Sequence, residues 1–314
     1  MTPKPQRGTP DGDATLAIQK LARETGAGVQ ELQILYVLEA LLARIAASPR
    51  RDDFVLKGGV LLAAFAARRP TKDIDLQATG LSHDADDVAG RLREIAAIEL
   101  SDGVAFDADS ITASAIRDGD ADEYAGVRVR LVGHLGRARL TVGIDVNFGD
   151  PIWPAPLLIE LPRIVPLDQP PVTLLGYPLA MVLAEKIVTA IDRGEGNTRW
   201  RDFADVYTLT HLHSVEAATL RNSLETVAAY RGVTLGPLLP ALAEMPERAQ
   251  PKWRPWRTRV KRQKELPEAF AEVFNEVARF SDPVLKGTAE GSWNITKQSW
   301  GARAMGGSLD EKGA

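Results

Sequence analysis

The chain of 314 residues contains no cysteine and only four histidines. The absence of cysteine excludes a disulfide framework, thiolate zinc sites, iron–sulfur ligation and a cysteine nucleophile. The scarcity of histidine leaves little room for histidine-rich metal chemistry. A chain without thiols is compatible with a reducing compartment, and we expect a cytoplasmic protein.

Long apolar runs and an excess of one charge are also absent. The apolar runs, such as that over 60–67, are far shorter than the roughly 20 residues that a membrane span requires. The N-terminal residues lack the apolar segment of a secretory signal. With neither a membrane span nor a signal, we expect no membrane partner. With 38 Lys and Arg against 42 Asp and Glu, the net charge is −4. Any nucleic-acid site must therefore be a local patch.

The order of the apolar patterns predicts an α+β protein, in which a mixed sheet with flanking helices is followed by an α-helical C-terminal lobe. Residues 1–50 are predicted to form N-terminal helices, and residues 51–150 the core with the sheet. Residues 151–178 carry eight prolines and are predicted to be a rigid linker without regular structure. Helical spacing returns over 179–280. Residues 281–314 are rich in glycine, serine and charge, which predicts a disordered tail.

A glycine turn follows the first predicted strand of the core. It has the sequence Lys57-Gly58-Gly59, and a helix is predicted after it over 60–69. Glycine lets the backbone approach a ligand closely, and the N-terminus of a helix directs N–H groups and a positive dipole at phosphate oxygens. Alone, such a turn is weak evidence of a site. Joined to the aspartate pair that follows it, the turn favours a metal–phosphate site.

Three aspartates lie on neighbouring predicted strands. Asp73 and Asp75 alternate in one strand and therefore project to the same side. A predicted antiparallel hairpin of strands 127–132 and 138–148 adds Asp145, in an otherwise apolar strand where an unpaired carboxylate is costly. A salt bridge or a turn hydrogen bond would satisfy Asp145, but the favoured interpretation is a metal shared by all three. Carboxylates suit Mg²⁺, which can activate a hydroxyl and bind an α-phosphate.

A lysine interrupts an apolar helical stripe in the C-terminal half. Lys186 shares its stripe with Leu183 and Ala190, and lysine is rarely buried without a partner. Its ammonium could either snorkel past apolar neighbours or contact phosphates. Asp202 and Asp205 lie on adjacent turns of another predicted helix, so either could point into a site or pair with an arginine at the surface.

A run of basic residues lies further along the chain, interleaved with Trp253 and Trp256. Charge combined with aromatic stacking is typical of an RNA contact, whereas a solvated helix face is the alternative. The basic residues are Lys252, Arg254, Arg257, Arg259, Lys261, Arg262 and Lys264.

Taken in order, the motifs resemble the DNA polymerase β-like nucleotidyltransferases, and within them the AbiEii/MenT-type toxins of type IV-like toxin–antitoxin pairs. The resemblance covers about residues 50–210 and departs from the wider superfamily at Val60, where Ser or Thr is common. The matching segments are Leu56-Lys-Gly-Gly59, Arg69-x-Thr71-x-Asp73-Ile-Asp75-Leu76, Ile144-Asp145-Val146, Leu183-Ala-Glu-Lys186-Ile and Arg199-Trp-Arg201-Asp202-Phe-Ala-Asp205.

The resemblance implies a Mg²⁺-dependent enzyme that moves a nucleotide from NTP·Mg²⁺ to an RNA acceptor, the tRNA 3′ end, and that has a cognate antitoxin protein as its partner. A catalytically silent NTP- or RNA-binding module is one alternative. Phosphoryl transfer to a protein partner is the other, because a bound triphosphate can be attacked at a different phosphorus atom.

The resemblance also implies roles for individual residues. Lys186 would steady the phosphates as charge develops, and Asp202 would orient Lys186 or the base. The implied metal ligands are Asp73, Asp75 and Asp145. The implied triphosphate cradle is Lys57, Gly58 and Gly59.

Overall fold

The computed structural model of the chain describes residues 5–117 and 124–301. It divides into two compact units, Met1–Pro178 and Leu179–Ala314. The first unit contains a seven-stranded mixed sheet with helices, and the second is mainly helical. This confirms the predicted α+β class. Within the described ranges, no helix combines the length and apolarity needed to cross a membrane.

The sheet of the first unit has the strand order β3-β4-β5-β2-β1-β7-β6. The pairs β2–β5 and β1–β7 are parallel, and the other neighbouring pairs are antiparallel. Its strands are β1 (Phe54–Lys57), β2 (Asp73–Ala78), β3 (Val104–Arg117), β4 (Tyr124–Leu135), β5 (Ala138–Phe148), β6 (Leu157–Leu161) and β7 (Val172–Gly176). Its helices are α1 (Pro10–Thr25), α2 (Val29–Ala47), α3 (Gly58–Leu61) and α4 (Ala85–Ala96).

Helix α2 is the main core helix of this unit and lies in the segment 1–50, where the sequence predicts helices. Leu38 and Leu42 are fully buried, as expected for an apolar stripe at three-to-four spacing. Arg44 on the same helix is also buried, because its guanidinium is paired with Asp102 at 2.6 Å. The helix thereby anchors the loop before β3 to the core.

The prediction of a rigid linker without regular structure over 151–178 was wrong, because β6 and β7 lie within it. Val172 and Leu174 are buried on alternate positions of β7, which pairs with the central strand β1. The prolines stand outside the two strands, where no ladder N–H group is required of them. Proline density therefore marked the connections between strands rather than the absence of strands.

The helix predicted over 60–69 is much shorter than expected. Helix α3 ends at Leu61, and a single 3-10 turn, Leu62–Phe65, ends at Ala66 in the left-handed conformation (φ 55°). Strand β3 was not predicted at all, because its polar, acidic sequence lacks an alternating apolar pattern. The predicted hairpin is confirmed: β4 and β5 pair from Leu135 and Ala138 outward.

The second unit is built from six helices and one short hairpin in the described part of the chain. The helices are α5 (Leu179–Arg193), α6 (Trp200–Leu212), α7 (Ala217–Arg231), α8 (Leu238–Ala241), α9 (Met245–Arg259) and α10 (Phe270–Leu285). The hairpin consists of β8 (Ser292–Asn294) and β9 (Ser299–Gly301).

The prediction of a disordered tail from residue 281 was wrong for its first part. Helix α10 continues to Leu285, and the hairpin after it packs through Trp293. The Trp293 ring stands edge-on to Phe280, with centroids 4.9 Å apart. Burial of Trp293 thus orders this segment, although the segment is rich in polar residues. Residues 302–314 lie outside the described residues.

Candidate functional site

The predicted site residues of the first unit lie on one face of four adjacent strands. Lys57 on β1 is the register partner of Asp75 on β2, and Asp75 is the partner of Asp145 on β5. Asp145 is in turn the partner of Arg128 on β4. Because directly paired residues share a face, these four side chains form a row of cation, acid, acid and cation. Asp73 lies on the same face as Asp75, two residues away along β2.

Two glycines make room for the aspartates of this row. Gly58 adopts φ +68°, and a Cβ at this position would overlap the carboxylate of Asp75. A Cβ at Gly143, the β5 partner of Asp73, would overlap the carboxylate of Asp73. The glycine turn and the aspartate pair, which the sequence joins into one predicted metal–phosphate site, are therefore in direct contact in space.

The alanine variant of Gly58 is expected to lose both activity and stability. The left-handed backbone costs a residue with a Cβ about 1–2 kcal/mol, and the added Cβ would displace the carboxylate of Asp75, for which the resemblance implies a role as a metal ligand. Gly80→Ala is the matched control, because Gly80 also has positive φ (+73°) but no atom within 4 Å of its added Cβ. Thermal melts and transfer assays should show similar backbone penalties for both variants, with activity lost in Gly58→Ala alone. Equal activities would contradict the contact.

Lys57 does not present its ammonium to the open face. The side chain is only 7% exposed, and its Nζ lies 2.7 Å from Asp150 Oδ2 and 5.4 Å from the ring centre of Tyr177. This pairing holds the end of β1 to the segment after β5. The role of Lys57 as a triphosphate ligand stays a prediction, and its side chain would have to leave Asp150 to perform it.

Asp145 is paired with an arginine that the sequence analysis did not single out. Arg128 Nε lies 2.8 Å from Asp145 Oδ1, and Nη2 lies 2.7 Å from Oδ2. The hydrogen bonds and the charge of Asp145 raise the pKa of Arg128 above its ordinary value, and the charges of Asp73 and Asp75 add to this rise. The sequence contained the signal, because counting outward from the hairpin turn pairs these two positions. Of the two alternatives for Asp145, the structure shows the salt bridge.

Magnesium is chemically compatible with this face. No group of three acidic or histidine side chains converges closely enough to hold an ion among residues 5–117 and 124–301. Asp145 is drawn toward Arg128, which leaves Asp73 and Asp75 as the adjacent pair. One or two carboxylates combined with substrate phosphates are the usual ligands of Mg²⁺. The three-aspartate metal site stays a prediction, and it requires Asp145 to exchange its partner.

Lys186 in the second unit is held by two aspartates. Its Nζ lies 2.8 Å from Asp202 Oδ1 and 2.7 Å from Asp205 Oδ2. Arg199 Nε contacts the second oxygen of Asp202 at 2.8 Å. Both aspartates therefore face the lysine, and Asp205 is the more deeply buried, with its side chain 2% exposed. Of the two sequence-based alternatives, simple snorkelling of Lys186 does not occur.

The basic run does not have the stacking character that the sequence indicated. Trp253 and Trp256 on α9 are buried and contact each other and Trp200. They are therefore unavailable to stack on bases. Arg257 donates to the backbone oxygens of Leu266 and Gln263, which makes it a structural residue.

The chain is similar to one protein family and to several solved structures. A family model described as "Nucleotidyl transferase AbiEii toxin, Type IV TA system" matches residues 40–276. The structure of MenT4, a nucleotidyltransferase toxin from Mycobacterium tuberculosis H37Rv, matches at 15% identity and a TM-score of 0.52, over 87% of this chain and 98% of that chain. JHP933 from Helicobacter pylori matches at 15% identity and a TM-score of 0.47, over 83% and 94%. No curated protein sequence matches the chain.

Proposed function

Because the chain belongs to the AbiEii family of nucleotidyltransferase toxins, we propose that it transfers a nucleotide from NTP·Mg²⁺ to the 3′ end of an RNA acceptor, and that this acceptor is tRNA. The proposal includes action in the cytoplasm and control by a cognate antitoxin protein. In the transfer, the acceptor's 3′-hydroxyl attacks the α-phosphorus, its proton passes to a base and pyrophosphate leaves.

The observation that carries the proposal is the arrangement of three aspartates around a glycine turn. Asp73, Asp75 and Asp145 lie on one face of two parallel, register-paired strands, and Gly58 packs on the Asp75 carboxylate. A binding module that never handles a metal gains nothing from such an acidic cluster, whose members repel one another. We therefore favour catalysis over the catalytically silent alternative.

The residues of the first unit have separate roles in this proposal. Asp73 and Asp75 would hold Mg²⁺, and Asp145 would complete the site and help to accept the proton of the attacking hydroxyl. Bound Mg²⁺ would polarise the phosphate oxygens and neutralise their charge. The backbone N–H groups of Gly58 and Gly59 would face the triphosphate. Thr71 Oγ1 lies only 3.2 Å from where a Cβ of Gly59 would stand, so a hydroxyl is present although residue 60 is valine.

Lys186 has the role in this proposal that the family resemblance implies for it. Its ammonium would offset negative charge on the phosphates, and Asp202 would hold it in place through the 2.8 Å contact. Asp205, more deeply buried, would anchor the same ammonium from the other side.

The test is incubation of the purified protein with each α-³²P-labelled NTP, Mg²⁺ and total tRNA, with RNA and protein resolved separately. Label on RNA is expected, and EDTA should abolish it. Label on neither product would support the silent binding module. If γ-labelled NTP instead marks a protein while α-label marks nothing, phosphoryl transfer replaces nucleotidyl transfer.

The exposed cations around α9 are the proposed contact for the acceptor RNA. Lys252, Arg259 and Lys264 are exposed, in contrast to Arg257. The double reversal Lys252→Glu/Arg259→Glu is expected to weaken tRNA binding and to lower the log–log salt slope by about 1.4–1.8 units, because each of the two lost phosphate contacts removes about 0.7–0.9. Filter binding across a salt series measures this slope.

The control for this experiment is a reversal of equal charge on α1. Lys20→Glu/Arg23→Glu changes two exposed cations in the same way and is expected to leave the slope unchanged. If the α9 variant and the α1 variant share the wild-type slope, the basic run is a solvated face and the RNA binds elsewhere.

A further inference from the structure

The two cations at the ends of the charged row differ in how they are held. Lys57 is buried against Asp150 and Tyr177, so its charge is fixed. Arg128 is 51% exposed at its side chain, and Asp145 is the acid that it contacts. Because its side chain is half exposed, Arg128 stays accessible to other anions while it holds Asp145. Arg128 is therefore the accessible cation of the row.

The pairing of Arg128 with Asp145 occupies both carboxylate oxygens. A carboxylate whose two oxygens already face a guanidinium is a poorer ligand for a second cation, because the two positive charges repel each other. Arg128 consequently stands in competition with any metal that Asp145 would bind. The pairing also offsets electrostatic repulsion, since three aspartates without a cation would repel one another across adjacent strands.

We propose that Arg128 exchanges partners during the reaction cycle: it holds Asp145 when no nucleotide is present, and it binds the triphosphate when NTP·Mg²⁺ is present. The inference rests on the proposed function. A guanidinium suits both partners, because its planar donors match carboxylate and phosphate oxygens in the same two-point geometry. Arg128 needs no new position on the sheet for this, since it already lies on the face that carries Asp73 and Asp75.

A plain structural pair would behave differently from an exchanging arginine. Cross-strand ion pairs contribute about 0.2–1 kcal/mol to sheet stability, and their removal leaves ligand binding alone. Arg130 provides the comparison within the same strand. It lies two residues from Arg128 on the same face, it is exposed, and its register partner on β5 is Gly143 rather than an acid. Arg130 therefore carries the same charge as Arg128 but has a glycine, rather than Asp145, opposite it.

The experiment measures two affinities by calorimetry in the full-length protein. The first is for Mn²⁺ alone, and the second is for a non-hydrolysable α,β-methylene NTP in Mg²⁺. Arg128→Ala is expected to bind Mn²⁺ about tenfold more tightly, because its competitor is gone, and the NTP analogue about tenfold more weakly, because a phosphate ligand is gone. Arg130→Ala should change each affinity by less than about threefold. Arg128→Lys should recover part of the NTP affinity, because it keeps the charge.

Opposite signs are the decisive result, since a misfolded variant loses both affinities together. If Arg128→Ala matches the wild type in both titrations, or changes both in the same direction, the exchange is refuted. When the wild type also transfers label from α-³²P-NTP to RNA in that case, the proposed function stands and only the role of Arg128 falls. A wild type that binds neither Mn²⁺ nor the analogue overturns both.

Discussion

Asp75→Asn is expected to reduce nucleotidyl transfer by at least about 10²-fold, while the protein stays folded. The substitution keeps the shape of the side chain but removes a charge that would bind the metal, and metal-based stabilisation of a transition state is worth several kcal/mol. The melting temperature should stay within about 4 °C of the wild type, because the loss of one of three neighbouring negative charges offsets the lost contacts. Transfer assays beside thermal melts measure the two effects.

Asp109→Asn is the control for this variant. Asp109 is an exposed aspartate of β3, in the same sheet but outside the charged row. Its substitution should leave transfer unchanged. Full activity of Asp75→Asn would end the catalytic interpretation, and a large fall in melting temperature without a matching loss of transfer would make Asp75 a structural carboxylate.

Lys186→Met is expected to lower both stability and transfer. Removing the ammonium strips Asp202 and the buried Asp205 of their 2.8 Å and 2.7 Å contacts with it. Breaking one side of a buried ion pair costs about 3–5 kcal/mol, which corresponds to a fall of roughly 10 °C in melting temperature. Transfer should fall by at least about 10²-fold if the ammonium also offsets phosphate charge. The sequence alone predicted the loss of transfer but not the loss of stability.

The double variant Lys186→Met/Asp205→Asn separates the two roles. It removes the buried charge that the single variant leaves without its lysine, so stability is expected to return most of the way. Transfer should stay low, because no ammonium is restored. Recovery of transfer together with the melting temperature would show that Lys186 acts through structure alone. Arg199→Ala is the milder comparison, since the exposed Arg199 side chain contributes about 1 kcal/mol or less through its contact with Asp202.

The sequence alone determined the features that depend on neighbours along the chain. Asp73 and Asp75 share a face because side chains alternate in a strand, and this holds wherever the strand lies. The β4–β5 hairpin follows from alternation around a short turn, and α2 follows from its apolar spacing. The order of the glycine turn, the aspartate pair and the third aspartate was enough for the resemblance, and the family match over 40–276 agrees with it.

The tertiary structure decided everything that depends on partners distant in sequence. Strand β7 is ordered because β1 offers it a ladder, and β6 in turn pairs with β7. No local pattern in a proline-rich segment reveals these pairings. Trp253 is buried because Trp200 and Phe270 meet it, although its neighbours in sequence are basic and exposed. In each case a long-range contact outweighs local composition.

The same reason explains what the sequence could not say about the charges. A side chain's type shows that it needs a partner, but the choice among partners depends on distances that only the fold sets. Lys57 pairs with Asp150, Lys186 pairs with Asp202 and Asp205, and Asp145 pairs with Arg128. Electrostatic pairing depends on a few ångströms of separation and on burial, and neither quantity is encoded in spacing along the chain.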